Sequence, residues 1–240
     1  MKPEQTGRIH PLSDTIRQIS QIFIDLGFQI ADGPYLEDTF HNFDALNVPS
    51  DHPSRDMQDT FYIKGQDDKV LRTHTSSIQI RFMEELLRNG GKPPFKIISP
   101  GMVFRNEATD ATHGAHFYQV EGLVVGHGVS LANLKWTLEH FIKKLLGDDV
   151  ELRLRPGFFP FVEPGVEVDL KFQGKWMEVL GAGMVHPNVF RSVGIDPQEY
   201  SGFAFGVGID RIMMMKYGVP DMRYSYQGDL RLHFGINKYD

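Results

Sequence analysis

The sequence has no cysteine. Disulfides, thiolate metal sites and thiol nucleophiles are excluded, and a reducing cytoplasm is the expected home. No apolar run approaches the roughly 20 residues that a membrane-crossing helix takes. The first stretch, "MKPEQTGRIHPLSD", has no apolar core like that of a signal peptide. There is no basic excess either: 25 Lys and Arg face 31 Asp and Glu, a net charge of −6. Strong autonomous nucleic-acid binding leaves a basic footprint. Any nucleic acid handled by this chain would therefore be gripped mostly by a partner or by a small local patch. Repeats, low-complexity tracts and Gly/Ser linkers are absent, so a single domain over residues 1–240 is expected.

What is present is a chain long enough for a sizeable core, with 41% hydrophobic residues. Apolar residues at helical spacing (Ile16, Ile19, Ile22, Phe23, Leu26) predict a helix over 13–26, capped by Ser13 or Asp14 and ended by Gly27. Further helices are expected near 77–88, 131–146 and 208–217, that at 131–146 capped by Ser130 and stopped by Gly147. Strands are expected at 28–31, 95–99, 102–108, 117–125, 150–155, 166–172, 175–180 and 202–206. Residues 40–60 have little periodicity and read as a long loop. Short turns such as Gln173-Gly174 imply antiparallel pairing. The fold class that follows is α+β, an antiparallel sheet with helices packed on it.

Four stretches carry chemistry. In "VFRNEATDATHGAHFYQVEGLVVG", alternation puts Arg105 and Glu107 on one face of a strand, and Phe117, Gln119 and Glu121 on one face of the next. Those faces form either a solvated sheet surface or the wall of a cleft; Arg beside carboxylates, an amide and a Phe favours the cleft, since Arg suits phosphate. His113 and His116 have metal-like spacing, but no third ligand at helical spacing joins them. In "GFAFGVGIDRI", glycines lead from a strand into a helix near Arg211, which reads as tight packing or as close approach of a ligand. "RPGFFPFVEPGVEVD" clusters Phe158, Phe159 and Phe161 between prolines, a packing feature or an aromatic-binding wall, with Glu163 directly after. "EVLGAGMVHP" sets Glu178 before two glycines flanking Ala182.

Taken together, these stretches resemble the class II aminoacyl-tRNA synthetases, and within them the catalytic domain of bacterial-type phenylalanyl-tRNA synthetase α subunits. "LGFQIADGPYLED" resembles the family's first motif, "VFRNEATDATH…FYQVEG" its second and "GFAFGVGIDRI" its third. "THTS", "FPFVEPG" and "GAGMVHPNVFRSVGIDP" resemble stretches particular to the α subunit, and the likeness runs over essentially the whole chain.

The resemblance implies an antiparallel sheet flanked by helices and a two-step reaction. Phenylalanine and ATP give phenylalanyl-adenylate and pyrophosphate; the phenylalanyl group then passes to tRNA(Phe), with a β subunit. It implies catalytic roles for Arg105, Glu107 and Arg211. Arg105 would hold the α-phosphate, Arg211 the γ-phosphate, and Glu107 the adenine amino group. Phe117 would stack on adenine, with His113 near the phosphates. Glu163 and Glu178 would hold Mg²⁺. His74, Ser76, Gln119 and Glu121 would surround the amino acid's ammonium and carboxylate; Phe159, Phe161, Val162, Ala182 and Ala204 would enclose its ring. It further implies dimerisation through 13–40 within a larger assembly, and no membrane.

Departures are Ser77 where the family usually has Pro, an unusual ending "YSYQGDLRLHFG", and a start just before the catalytic domain, without the helical arm that contacts tRNA. The last leaves open a paralogue that activates an amino acid for a non-tRNA acceptor, or a phenylalanine-binding regulatory module.

Overall fold

The structure is a computed structural model and describes residues 8–111, 113–172, 174–230 and 232. Helix α1 (Pro11–Asp25) starts two residues before the expected point, because Pro11 pre-sets the first turn and the His10 imidazole accepts from the Leu12 amide at 3.2 Å. Strand β1 (Gln29–Ile30) follows. A small sheet then forms from β2 (Leu36–Asp38), β3 (Tyr62–Ile63) and β4 (Gln66–Leu71), in the order β2-β4-β3. Between β2 and β3 lies the short helix α2 (Thr39–Asn42), with two 3-10 turns at Asp44–Leu46 and Pro53–Arg55. The stretch read as a loop is thus partly structured. Its turns are held by capping side chains, Asp38 on the His41 amide at 2.9 Å and His52 on the Ser54 amide at 3.2 Å.

After α3 (Ser76–Arg88) come β5 (Phe95–Phe104) and β6 (His116–Gly126). The break expected at Pro100 does not occur. Pro100 pairs with Val120 and Gly101 with Gln119, so 95–104 is one strand. Past Phe104 the chain leaves the ladder: the Asn106 amide donates to the Asp59 carbonyl at 3.0 Å, so Arg105 and Glu107 lie beyond the strand. Helix α4 (Leu131–Leu146) matches expectation at both ends, with a reciprocal Ser130/Asn133 capping box and Gly147 after it.

Strands β7 (Glu151–Phe159), β8 (Val162–Phe172) and β9 (Lys175–Val185) form a meander longer than its periodicity implied. Phe172 pairs with Lys175; Gln173, half of the expected turn, lies outside the described residues. Helix α5 (Pro187–Val193), strand β10 (Ser201–Gly208) and helix α6 (Ile209–Tyr217) complete the order, followed by a 3-10 turn at Met222–Tyr226. Residue 231 and residues 233–235 of the unusual ending also lie outside the described residues.

The large sheet runs β1-β5-β6-β10-β9-β8-β7, antiparallel except for β1 on β5, which is parallel. Strand β10, late in the sequence, sits between β6 and β9 and joins two otherwise separate strand groups. One face packs on α1 and α4 through Ile19, Phe23, Leu138, Phe141, Phe203 and Phe205. The opposite face, with Leu123 and Val125 of β6, meets Phe43, Leu46, Val48, Ile80, Met83 and Phe190. This is the expected class, an antiparallel-dominated sheet flanked by helices.

Candidate active site

The second face is incompletely filled. Over β6, β9 and β10 lies a cavity of about 520 Å³, within the size range of small-molecule sites. Its floor is Gln119, Glu121 and Leu123 of β6, Ala204 and Gly206 of β10, and Gly181 of β9. One wall is the β7–β8 hairpin, which brings Phe159, Phe161 and Val162. The facing wall is the turn into α3 and α3 itself: Thr73, His74, Ser76, Gln79 and Met83. Arg105 and Glu107 border it, and Val185 and Val189 line another part.

The floor glycines have a specific steric role. A Cβ on Gly181 would stand 2.8 Å from the Phe159 ring, and one on Gly206 would stand 3.1 Å from Glu121 Cγ. The glycines thus let the protein's own aromatic ring and carboxylate lie flat on the sheet. Phe159 and Phe161 stack loosely, with ring centres 6.0 Å apart.

The polar end is buried. Glu121 is 6% exposed, accepts from the Thr75 amide at 3.2 Å and from the Ser76 hydroxyl, and burial pushes its carboxyl up to about 7. The donors and the charges of Arg105 and Arg72 oppose that rise. Burial, with Arg105 second, presses the His74 imidazole down to about 4, so it is neutral at pH 7. His74 Nδ1 and Gln119 Oε1 are buried with no hydrogen-bond partner among the described residues. Such atoms carry a penalty of about 1–3 kcal/mol each unless a ligand satisfies them. Arg105 is held by its Nε on the Thr73 carbonyl at 3.2 Å, stands 3.9 Å from Glu107, and covers the Phe117 ring at 5.0 Å.

Placement of the remaining candidates differs. Phe117 does not line the cavity, and one of its faces is covered by Arg105. Arg211 is exposed in the first turn of α6, after Gly208, whose missing side chain faces open space. His113 is exposed on the β5–β6 loop, with its amide on Asp110 Oδ1 at 2.7 Å. His116 packs edge-on against Tyr226, so the two histidines have separate partners. Ala182 touches the lining, but its side chain belongs to the helix-side core, and its neighbour Gly181 holds the cavity-side position.

Glu163 and Glu178 do not form one metal site. Val162 pairs with Val185 and Asp169 with Glu178, so the two carboxylates are separated by about six residues of ladder, roughly 20 Å at ~3.3 Å per residue. Both are exposed and neither lines the cavity; Glu178 is 3.5 Å from Arg155. The one group of three metal-type side chains among the described residues, Glu37, Asp38 and His41, lies elsewhere and is tied up by Arg81 at 2.6 Å from Glu37.

Sequence reasoning missed the third wall, where Phe43, Leu46, Val48, His52, Ser54 and Asp59 complete the cavity. The apolar spacing of Phe43, Leu46 and Val48 was the available signal. It also missed Asp210, buried at the start of α6, which accepts from the Tyr118 amide and the Tyr226 hydroxyl, both at 2.7 Å. Burial raises the Asp210 carboxyl despite these donors.

A family model for the class II core domain of tRNA synthetases, type F, matches residues 1–235. The chain belongs to the class II aminoacyl-tRNA synthetase family, alongside the phenylalanine–tRNA ligase α subunits. It is similar to the phenylalanine–tRNA ligase alpha subunit of Bacillus mycoides strain KBAB4, 50% identical over 242 residues, with 96% of this chain and 69% of that protein covered. The like-named protein of Vibrio vulnificus strain YJ016 is 53% identical over 228 residues, covering 95% of this chain and 67% of its own length. That of Wolbachia sp. subsp. Drosophila simulans strain wRi is 51% identical over 243 residues, covering 98% and 69%. No helix among the described residues is long and apolar enough to cross a membrane.

Proposed function

We propose that this chain activates L-phenylalanine with ATP and, with a β subunit, transfers the phenylalanyl group to tRNA(Phe). One observation carries the reading. A single cavity has an apolar end (Phe159, Phe161, Val162, Ala204) and a polar end with a buried carboxylate and with Gln119 Oε1 and His74 Nδ1 unpartnered among the described residues. A phenylalanine has that polarity: its ring packs on the aromatics and its ammonium and carboxylate meet the polar end.

The chemistry asks little of proton transfer. A substrate carboxylate oxygen attacks the α-phosphorus, a P–O bond forms, and the bond to pyrophosphate breaks. The protein contributes positioning and charge. Arg105, anchored on Thr73, would meet the α-phosphate and the reacting carboxylate. Glu107 would accept from the adenine amino group, and adenine would lie against Phe117 on the face that Arg105 leaves open. Arg211, beside the open backbone at Gly208, would take the γ-phosphate, with His113 near the phosphates. Class II synthetases use ATP with magnesium in general. Glu163 and Glu178 do not converge on one ion, so no step is assigned to a magnesium held by that pair.

The partner reading draws on exposed apolar side chains within the segment 24–40: Ile24, Ile30, Tyr35, Leu36 and Phe40 are all at least 40% exposed. Covering such side chains is a usual function of an interface. With a net charge of −6, tRNA affinity would come largely from the assembled partner.

The test is phenylalanine-dependent ATP–pyrophosphate exchange, with Arg105→Ala as control. Exchange that needs phenylalanine and is lost in the variant is the expected result. Exchange indifferent to phenylalanine, or equal in both proteins, would remove the proposal.

A further inference from the structure

We propose that Arg72 is a positioning residue for the amino-acid half of the site. Its buried guanidinium holds the Thr73–Ser76 turn against the sheet and supplies the standing positive charge that keeps the Glu121 carboxylate ready for a substrate ammonium. The inference rests on the phenylalanine-activation reading.

Arg72 is wholly buried, at 0% exposure, yet does not line the cavity. Its Nε donates to the Met102 carbonyl at 2.8 Å and its Nη1 to the Gly33 carbonyl at 3.0 Å. The guanidinium stacks 4.7 Å over the Tyr35 ring. It has no ion pair within 4.0 Å among the described residues. A buried cation without a direct counter-ion is costly, and a fold that keeps one uses its charge or its fork of donors.

The guanidinium lies in a notch. A Cβ on Gly101 would stand 2.3 Å from Arg72 Nη2 and 3.3 Å from Thr75 Cγ2. Gly101 pairs with Gln119 and Ser99 with Glu121, so the notch lies on the sheet face that carries both cavity residues. Glu121 is its diagonal neighbour, a separation of about 7–8 Å in a ladder. The residues after Arg72 then deliver the site's donors: the Thr75 amide and the Ser76 hydroxyl both donate to Glu121. The Thr73 carbonyl anchors Arg105.

The charged and titratable groups around Glu121 come from few elements. The segment before α3 brings Arg72 and neutral His74; the segment after β5 brings Arg105, with Glu107 at 3.9 Å from it. Strand β10 presents only Gly206 there, and α3 presents Ser76. Two cations therefore oppose the desolvation of Glu121. The charge of Arg105 is shared with phosphate once ATP binds, whereas Arg72 is walled off from the nucleotide and its charge persists.

The experiment measures the KM for phenylalanine and for ATP in exchange, from pH 5.5 to 8.5, on the chain assembled with its β subunit. The unaltered protein should show a phenylalanine KM that rises as pH falls through about 7, since the protonated carboxyl loses its attraction for the ammonium. Arg72→Gln should move the rise about one pH unit higher, which raises that KM about fivefold at pH 7 and about tenfold at pH 5.5, where the carboxyl is protonated in both proteins. Its ATP KM should stay within about threefold, and Arg72→Lys, which keeps the charge but not the fork that bonds Met102 and Gly33, should restore the pH profile while leaving part of the KM loss. If Arg72→Gln does not fold, Gly101→Ala carries the test, because its methyl displaces the same guanidinium; the same upward displacement of the pH profile is expected. A phenylalanine KM profile in these variants that matches the unaltered protein would overturn the inference, as would equal losses for ATP and phenylalanine with no displacement in pH. Absence of exchange in the unaltered protein would instead count against the activation reading itself.

Discussion

On β6, Val120 and Val124 face α1 and α4, while Gln119, Glu121 and Leu123 face the cavity. On β10, Phe203, Phe205 and Val207 face the helices, while Ala204 and Gly206 face the cavity. The two faces come from the same strands, one residue out of phase. The helix face is filled: Phe23 touches Phe28, Phe141 and Phe205, with ring centres 4.9–5.2 Å apart. The cavity face is apolar at one end and, at the other, incompletely satisfied, with His74 Nδ1, Thr75 Oγ1, Ser99 Oγ and Gln119 Oε1 unpartnered among the described residues. Both faces carry buried apolar clusters, but only one of them leaves room to bind.

That separation can be broken experimentally. Phe23→Ala should have the largest effect, about 3–5 kcal/mol of stability, or on the order of 10 °C in melting temperature for a chain this long. The phenylalanine KM of the remaining folded protein should be unchanged; thermal melts beside exchange assays check both. Arg105→Ala should do the reverse, with kcat/KM in exchange falling about 10²–10³-fold and the melting temperature held within a few degrees. A large loss of stability in that variant would show that the cavity face is also structural.

Glu121→Gln sharpens the comparison further. A carboxyl raised from 4.5 to about 7 in the folded protein is better ionised in the unfolded chain. Its contribution to stability is fully present below about pH 4.5 and lost as pH rises through about 7, a linkage on the order of 3 kcal/mol at most. Glu121→Gln should therefore melt higher than the parent at pH 8 and about equally at pH 5, while its phenylalanine KM rises and loses its pH dependence. Equal melting at pH 8 would place the strain elsewhere. The smallest expected change is Ala204→Gly. Removing one methyl from the floor is worth about 1 kcal/mol and should improve exchange with 4-chlorophenylalanine several-fold; unchanged kinetics for that substrate would mean that Ala204 does not bound the ring.

How much of this could be read from sequence depended on range. Helix α4 was legible because Ser130, Asn133 and Gly147 fix its ends locally. The cavity floor was legible because strand alternation alone groups Gln119 with Glu121. The extent of β5 was not, since Pro100 normally interrupts a ladder and here it is carried within one. The wall from Phe43 to Asp59 was not, because its side chains meet the cavity only through tertiary packing. Two acidic residues near glycines, Glu163 and Glu178, look alike in sequence, and only the register reveals the ladder between them.

The position of β10 has a consequence for synthesis. Until residues 201–208 are made, the large sheet is two pieces, β1-β5-β6 and β9-β8-β7, each with an open edge where β10 will insert. Open edges are templates for pairing with other chains. The cavity floor spans both pieces, so a chain still growing on the ribosome has neither a continuous sheet nor a complete floor until Gly208 is made. Termination between Val185 and Ser201 would leave both half-sheets made and neither joined.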